Sequence, residues 1–537
     1  MKEKSLQKAE EFLRIVLHIL ISVYMISIIT VMPFYFTDGY GRIGTNKYEF
    51  FYKETMLMGK AILPVLGVFW LVLLLKEWKR NKKLLSKLYL RMKKLSLSAT
   101  DLFAIFYGIA LTFSYLHSDY KEMTAYGNAW KGANGWYMGL STQLLFLGIY
   151  FAVSRLWKPG KWLLSLWIPV TLVVYLLGCC NRFGVYPIEM EHASPWFIST
   201  IGNINWYCGY IVTVFFGLLY YWWTGTIRNR WADILLAVYC VVGFGALLTQ
   251  GSGSGMLTLG VMCLVFFLLS LESGQKMQRL WMMAVLLGIA CTITYILRKC
   301  FAERFNYTDT LMDLLTDTPM AVLILLFGLG MYLLTAYWNK QGRYPQRCFV
   351  ILGKVMIWLA VGVTLLAVAA IALNTRKPGS LGSLSENPFF TFDMDWGSSR
   401  GATWIAGIWC WRDQDLLGKL LGIGPDCMSS YIHLGTNPEL LAMVQKEFPG
   451  LRLTNAHCEW LTILINEGVL GLLAFGGMIV TAIRRYLKNG SSHVVAAACG
   501  MCVLAYTINN VVSFQQAMST ATMFLVLGIG EASVKNP

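Results

Sequence analysis

The sequence predicts an all-α, polytopic membrane protein with about fourteen transmembrane helices and a helical extracytoplasmic cap, and three observations predict it. Of 537 residues, 56% are hydrophobic and only 14% are charged, against roughly 25% charged in a soluble domain. The mean hydropathy is +0.54. The chain also contains fourteen apolar runs of spanning length. Crossing hydrocarbon takes about 20 such residues in a helix, because backbone polar groups there must be satisfied internally.

The runs fall at 12–36, 58–76, 99–117, 136–154, 162–180, 204–224, 231–249, 254–271, 280–297, 320–338, 349–373, 459–483, 493–513 and 517–534. The first is too long for a signal-peptide core and lacks a small-residue cleavage site, so it reads as a retained helix. Most connections are short. The exception, 374–458, opens with the Gly, Ser and Pro stretch TRKPGSLGSLSENP, which reads as flexible. Helical spacing at Trp404, Ile408 and Trp411 follows, then a glycine-rich turn and the amphipathic piece PELLAMVQKEF. A connection this long is usually functional. The polar connections 180–196 and 298–319 are expected to line a cleft on the same side.

Basic residues set the orientation, since Lys and Arg are retained in the cytoplasm. An internal N-terminus places Lys2, Lys4, Lys8 and Arg14 there, then nine basic residues between Lys76 and Lys94. The formal charge of +16 is thus largely topogenic, with KRNKKLLSK able to touch anionic lipid, and it argues for no nucleic-acid partner. Thirteen cysteines lie mainly inside spans without metal-ligand spacing. Cys410, Cys427 and Cys458 fall in or beside the long loop, where a disulfide is compatible with the sequence but not deducible from it.

One of six histidines has a chemically suggestive setting. In LTNAHCEWLTILINEGVLG, His457 is expected in the first turn of a span, after the potential caps Thr454 and Asn455. The positive end of the helix dipole disfavours imidazolium and keeps the ring neutral, as a general base requires. Such a base contributes about 10² to 10⁴ in rate; the plain alternative is an interfacial histidine at a helix end. Arg400, in DWGSSRGATW, sits among small residues that allow close backbone approach. Its guanidinium suits bidentate phosphate binding, or else snorkels from a cap helix. Arg182, Arg298 and Arg304 are further phosphate candidates, with simple solvation the alternative for each. Asp393 and Asp395 form an Asp-x-Asp pair that suits a divalent cation, although such pairs are common by chance; no metal site or cofactor is expected.

NAHCEWLTILINEGVLGLLAF resembles the signature of the O-antigen ligase and O-antigen polymerase superfamily, bacterial transferases of lipid-linked glycans. SSRGATWIAGIWCWRDQDLLGKLLGIGPD resembles the segment preceding that signature, GNINWYCGY the Gly-Asn-Pro-Asn segment, and NRFGVYP segments of related members. The resemblance covers about 180–480, is strongest over 397–475, and keeps the family's order of elements. It implies an N-terminal helical region 1–179, a core 180–480 containing the loop 374–458, and C-terminal helices 481–537. It further implies metal-independent, inverting glycosyl transfer in polysaccharide biosynthesis, with His457 as base and Arg400 on an undecaprenyl-pyrophosphate donor. The family often carries an Arg where this chain reads TQGSGSG at 249–255, so donor phosphate would fall to Arg182, Arg298 or Arg304. Cys458 stands where the family has Asn, and Glu467 matches its Glu.

The expected protein is therefore a glycan polymerase or ligase of the bacterial cytoplasmic (inner) membrane, with both termini inside. Its partners would be the lipid-linked donor, a glycan, lipid or protein acceptor, and membrane lipid. Two rivals stand beside it. A lipid-linked oligosaccharide flippase needs cations facing a central cavity within the spans, for which Lys354 is the clear candidate. A noncatalytic scaffold of a polysaccharide export complex would use the cap to hold partners.

Overall fold

A computed structural model describes residues 3–80, 97–127, 137–160, 162–307, 309–490 and 492–535. Most of the basic stretch between Lys76 and Lys94 lies outside the described residues, as does Lys2. The helices, numbered along the chain, are α1 (Glu3–Ile26), α2 (Ile43–Arg80), α3 (Ala99–His117), α4 (Lys121–Tyr126), α5 (Leu140–Leu156), α6 (Trp162–Arg182), α7 (Ile204–Trp223), α8 (Arg230–Thr249), α9 (Gly253–Ser270), α10 (Gly274–Cys300), α11 (Thr310–Thr316), α12 (Met320–Lys340), α13 (Gln346–Arg376), α14 (Trp396–Arg412), α15 (Leu416–Leu421), α16 (Met428–Leu434), α17 (Pro438–Glu447), α18 (Glu459–Lys488), α19 (Val494–Asn509) and α20 (Ala517–Lys535). Between α6 and α7, β1 (Phe197–Ile198) pairs antiparallel with β2 (Gly202–Asn203). Among the described residues twelve helices are long and apolar enough to cross a membrane, and α5 and α19 are shorter apolar helices. All fourteen predicted runs are helical.

Local chemistry sets the helix ends. Ser98 and Asp101 form a reciprocal capping box at α3. Asn229 and Ser273 cap α8 and α10 through their side-chain oxygens. The first span departs from a single α-helix: α1 passes into a π-turn at Ser27–Val31 and a 3₁₀ turn at Met32–Phe34 containing Pro33. Proline has no N–H to continue the ladder, so carbonyls at this end are released to other partners.

One apolar core runs from Leu17 to Ala532, through all three sequence segments. The connections sort to two ends of the bundle. At one end, buried Asp101 accepts Tyr150 Oη at 2.7 Å and pairs with Arg155 at 2.6 Å and Lys535 at 2.9 Å. There too Lys76 pairs with Glu10 at 2.7 Å. At the opposite end, residues from 374 to 458 build a cap with its own core, including Ala406, Cys410, Cys427, Met428, Ile432, Leu440 and Val444. Cys410, Cys427 and Cys458 are free thiols. Both helices expected in the cap form, as α14 and α17. The Gly, Ser and Pro stretch holds two 3₁₀ turns, Gly382–Glu386 and Pro388–Phe390.

The glycine-rich turn docks the cap on the bundle. The Ile423 and Gly424 N–H groups donate to Ile465 O at 3.2 Å and Asn466 O at 2.8 Å. Those carbonyls are open because α18 breaks at Gly468, with φ 67° and ψ −172°. A Cβ there would lie 2.3 Å from Leu420 O, so neither the backbone angles nor the space admits a side chain.

Candidate functional site

The candidate site lies at the capped end, where α14, the segment before α18, and the α19–α20 turn meet. Gly397, Ser398 and Ser399 all have positive φ, a conformation costly for the two serines. This left-handed run turns Arg400 toward the α19–α20 turn. Its Nε donates to Val512 O at 3.3 Å and its Nη1 to Gly397 O at 2.8 Å. One turn on, Thr403 Oγ1 donates both to Arg400 O at 2.9 Å and to Ala456 O at 3.1 Å. Thr403 thus ties the Arg400 backbone to the residue before His457.

His457 does not lie in the first turn of α18, which begins two residues later with Cys458 as N-cap. The His457 backbone is left-handed, at φ 48°, and its N–H donates to Asn455 Oδ1 at 2.9 Å. Asn455 therefore braces a turn at His457 instead of capping the helix. The imidazole is half-buried and packs edge-on against Phe514, centroids 5.0 Å apart. Burial and then the nearby Arg400 charge lower its pKa to about 4, a different cause from the helix dipole that the sequence suggested. Burial also lowers the Arg400 pKa, while a guanidinium stays charged throughout the working pH range.

Beneath this pair, Asn455, Phe514, Glu459, Glu467, Asn466, Gln143 and Gln515 contribute to a cavity of about 30 Å³, room for about two waters. Glu459 is buried and accepts hydrogen bonds from Tyr506 Oη at 3.2 Å, Gln515 Nε2 at 2.9 Å and Asn510 Nδ2. Glu467, also buried, lies beside the Tyr107 hydroxyl, and the buried Asn466 Oδ1 accepts no hydrogen bond among the described residues. Asp426 reaches the same cavity from the cap and accepts the Met138 N–H at 3.0 Å. Of this polar floor, sequence reasoning named Asn455 and Glu467 and missed the rest. Glu459 carried a usable signal, as an acid beginning an apolar span; the amides come from distant helices and share no spacing.

The remaining arginines have structural partners or lie apart. Arg182 is fully buried, its Nε donating to Thr249 O at 2.7 Å, Nη2 to Gln250 O at 2.9 Å and Nη1 to Pro195 O at 3.0 Å. It occupies the TQGSGSG turn in space and does not line the cavity beneath His457. Arg298 pairs with Asp313 at 2.8 Å and packs over Phe305. Arg304 is exposed in a 3₁₀ turn. The polar connections carrying them dock on one another, Asn306 N–H donating to Arg182 O at 3.1 Å. Asp393 Oδ1 accepts the Asp395 N–H at 3.1 Å, and among the described residues no group of three or more His, Cys, Asp or Glu is arranged to hold a metal ion. Lys354 is exposed on α13.

The fold and this capped site define a multi-pass α-helical membrane protein. No protein-family model matches the chain, and no curated protein matches it.

Proposed function

We propose that the protein is a glycosyltransferase of the bacterial cytoplasmic membrane. It transfers an oligosaccharide from an undecaprenyl-pyrophosphate donor to an acceptor hydroxyl on the outer side, as a polysaccharide polymerase or ligase. The observation that carries this reading is a half-buried His457 of lowered pKa beside a constrained Arg400, next to a small cavity lined by its neighbours Asn455 and Phe514.

In the proposed reaction the acceptor oxygen attacks the anomeric carbon as the bond from that carbon to the diphosphate oxygen breaks, with inversion. His457 takes the acceptor proton, and the diphosphate leaves with the bonding electrons. Arg400 offsets its charge. Burial is the first cause of the low proton affinity of His457 and the Arg400 charge the second. A diphosphate neutralises that charge and adds its own, raising the imidazole pKa toward the range where a base works best. Donor binding thereby arms the base, and the cap limits the access of water that would hydrolyse the donor.

The test is transfer by the full chain in nanodiscs from a lipid-pyrophosphate glycan. His457→Ala should lower transfer at least about 10²-fold while leaving insertion and thermal stability near normal. Near-normal transfer by a folded His457→Ala protein refutes the assignment.

A further inference from the structure

A second cavity, of about 210 Å³, opens at the capped end beside the first turn of α2. Lys47 lines it and is only 2% exposed. Its ammonium donates to Met32 O at 2.9 Å and Pro33 O at 2.8 Å, carbonyls at the end of α1 where the π and 3₁₀ turns replace the α-helical ladder. Two carbonyls use two of three donors, and among the described residues no carboxylate pairs with this buried charge. Burial makes the protonated form of this amine costly, and an anion beside its third donor would stabilise that form.

The same wall carries a second, independent source of positive potential. Arg42, Gly44 and Thr45 line the cavity at the start of α2, a helix of 38 residues with no acid in its first turn. Such a terminus presents N–H groups and a partial positive charge to anions. Arg42 lies 3.9 Å from Glu49, which Lys53 also approaches, and Asp426 faces Tyr48 from the cap. Facing this wall are Tyr48, Tyr137, Phe197 and Trp206, with Tyr48 and Tyr137 stacked at 4.3 Å. Flat aromatic rings suit the apolar faces of sugars. The segment that packs Phe514 on His457 continues as Gln516, Ala517 and Met518 along this cavity, so consecutive residues of one segment line the two cavities.

We propose that this cavity binds an anionic sugar unit, its phosphate or carboxylate against Lys47 and the first turn of α2, its ring against the aromatic wall. The proposal rests on the glycosyltransferase reading and deepens it, making the second cavity a subsite for the glycan handled at His457.

The experiment is hydrogen–deuterium exchange of the full chain in nanodiscs, titrated separately with inorganic pyrophosphate, glucuronate and neutral glucose. Either anion should protect the amides of 42–48, whereas glucose should not. Pyrophosphate acting at lower concentration assigns a phosphate ligand, and glucuronate acting at lower concentration an acidic sugar. Lys47→Met and Arg42→Gln should each raise the required concentration about tenfold or more, the scale of one lost charge-assisted hydrogen bond. Arg42 is exposed, so its variant keeps the test valid where Lys47→Met fails to fold. No anion protection at 42–48, or equal protection in the wild type and a folded variant, overturns the proposal. Protection confined to 396–403 also overturns it while leaving the Arg400 reading intact. Anion protection at 42–48 alongside normal transfer by His457→Ala upholds the subsite and refutes the base instead.

Discussion

The pKa of His457 makes a prediction about stability that needs no substrate. In the folded protein the imidazole titrates at about 4, against 6.5 for the free side chain. Between these values the unfolded chain binds a proton that the folded chain refuses, so stability falls as pH falls. The contribution is fully present above about pH 6.5 and is lost on descending toward 4. At about 1.4 kcal/mol per pH unit the total reaches up to about 3 kcal/mol, with about 2 kcal/mol already lost at pH 5. Other groups titrate in the same window, so the informative quantity is the difference from His457→Gln, which has no proton to bind at that position. Thermal unfolding of both proteins in nanodiscs from pH 7.5 to 4.5 should show wild-type stability falling more steeply, by nearly one proton. Parallel pH profiles contradict a buried neutral imidazole and remove the basis for its role as base.

Three further outcomes follow from the site and its frame. Arg400→Gln should lower transfer by at least about 10²-fold and raise the His457 pKa, which the pH dependence of imidazole modification reads; an unmoved pKa means that the two groups are not coupled. Gly468→Ala should destabilise the protein by about 2 kcal/mol or more, because it places a Cβ against Leu420 O at a backbone conformation foreign to alanine; an unchanged midpoint contradicts the docking described here. Thr403→Val removes the bond joining α14 to Ala456 and, with it, the bond to Arg400 O within the helix. It should cost about 1 to 2 kcal/mol and lower kcat more than it raises KM, whereas a pure KM effect means that Thr403 does not position the reacting groups.

The helical framework was legible because hydrocarbon imposes a strong rule on local sequence, and each apolar run from 12–36 to 517–534 contains a helix, twelve of them of spanning length among the described residues. Local spacing also revealed α14 and α17, whose apolar positions recur each turn. The site was legible only as residue types. His457 and Arg400 stood out by chemistry, but their backbones are left-handed or follow left-handed residues, and packing between distant segments holds those conformations. His457 accordingly read as part of a helix it precedes. Lys47 sits among polar residues in NKYEFFYKET, and nothing in that string announces that it is buried against α1. Arg182 illustrates the converse: it read as a phosphate ligand because it follows a span, yet the Thr249, Gln250 and Pro195 carbonyls hold it in place.

The most direct test of the proposed activity is the profile of lipid-linked and polymeric glycans extracted from cells lacking the protein and complemented with the intact chain or with His457→Ala. Transferase activity predicts accumulation of lipid-linked glycan, corrected by the intact chain and not by the variant; single repeat units mark a polymerase, and long lipid-linked polymer a ligase. An identical profile in all strains contradicts the proposed activity.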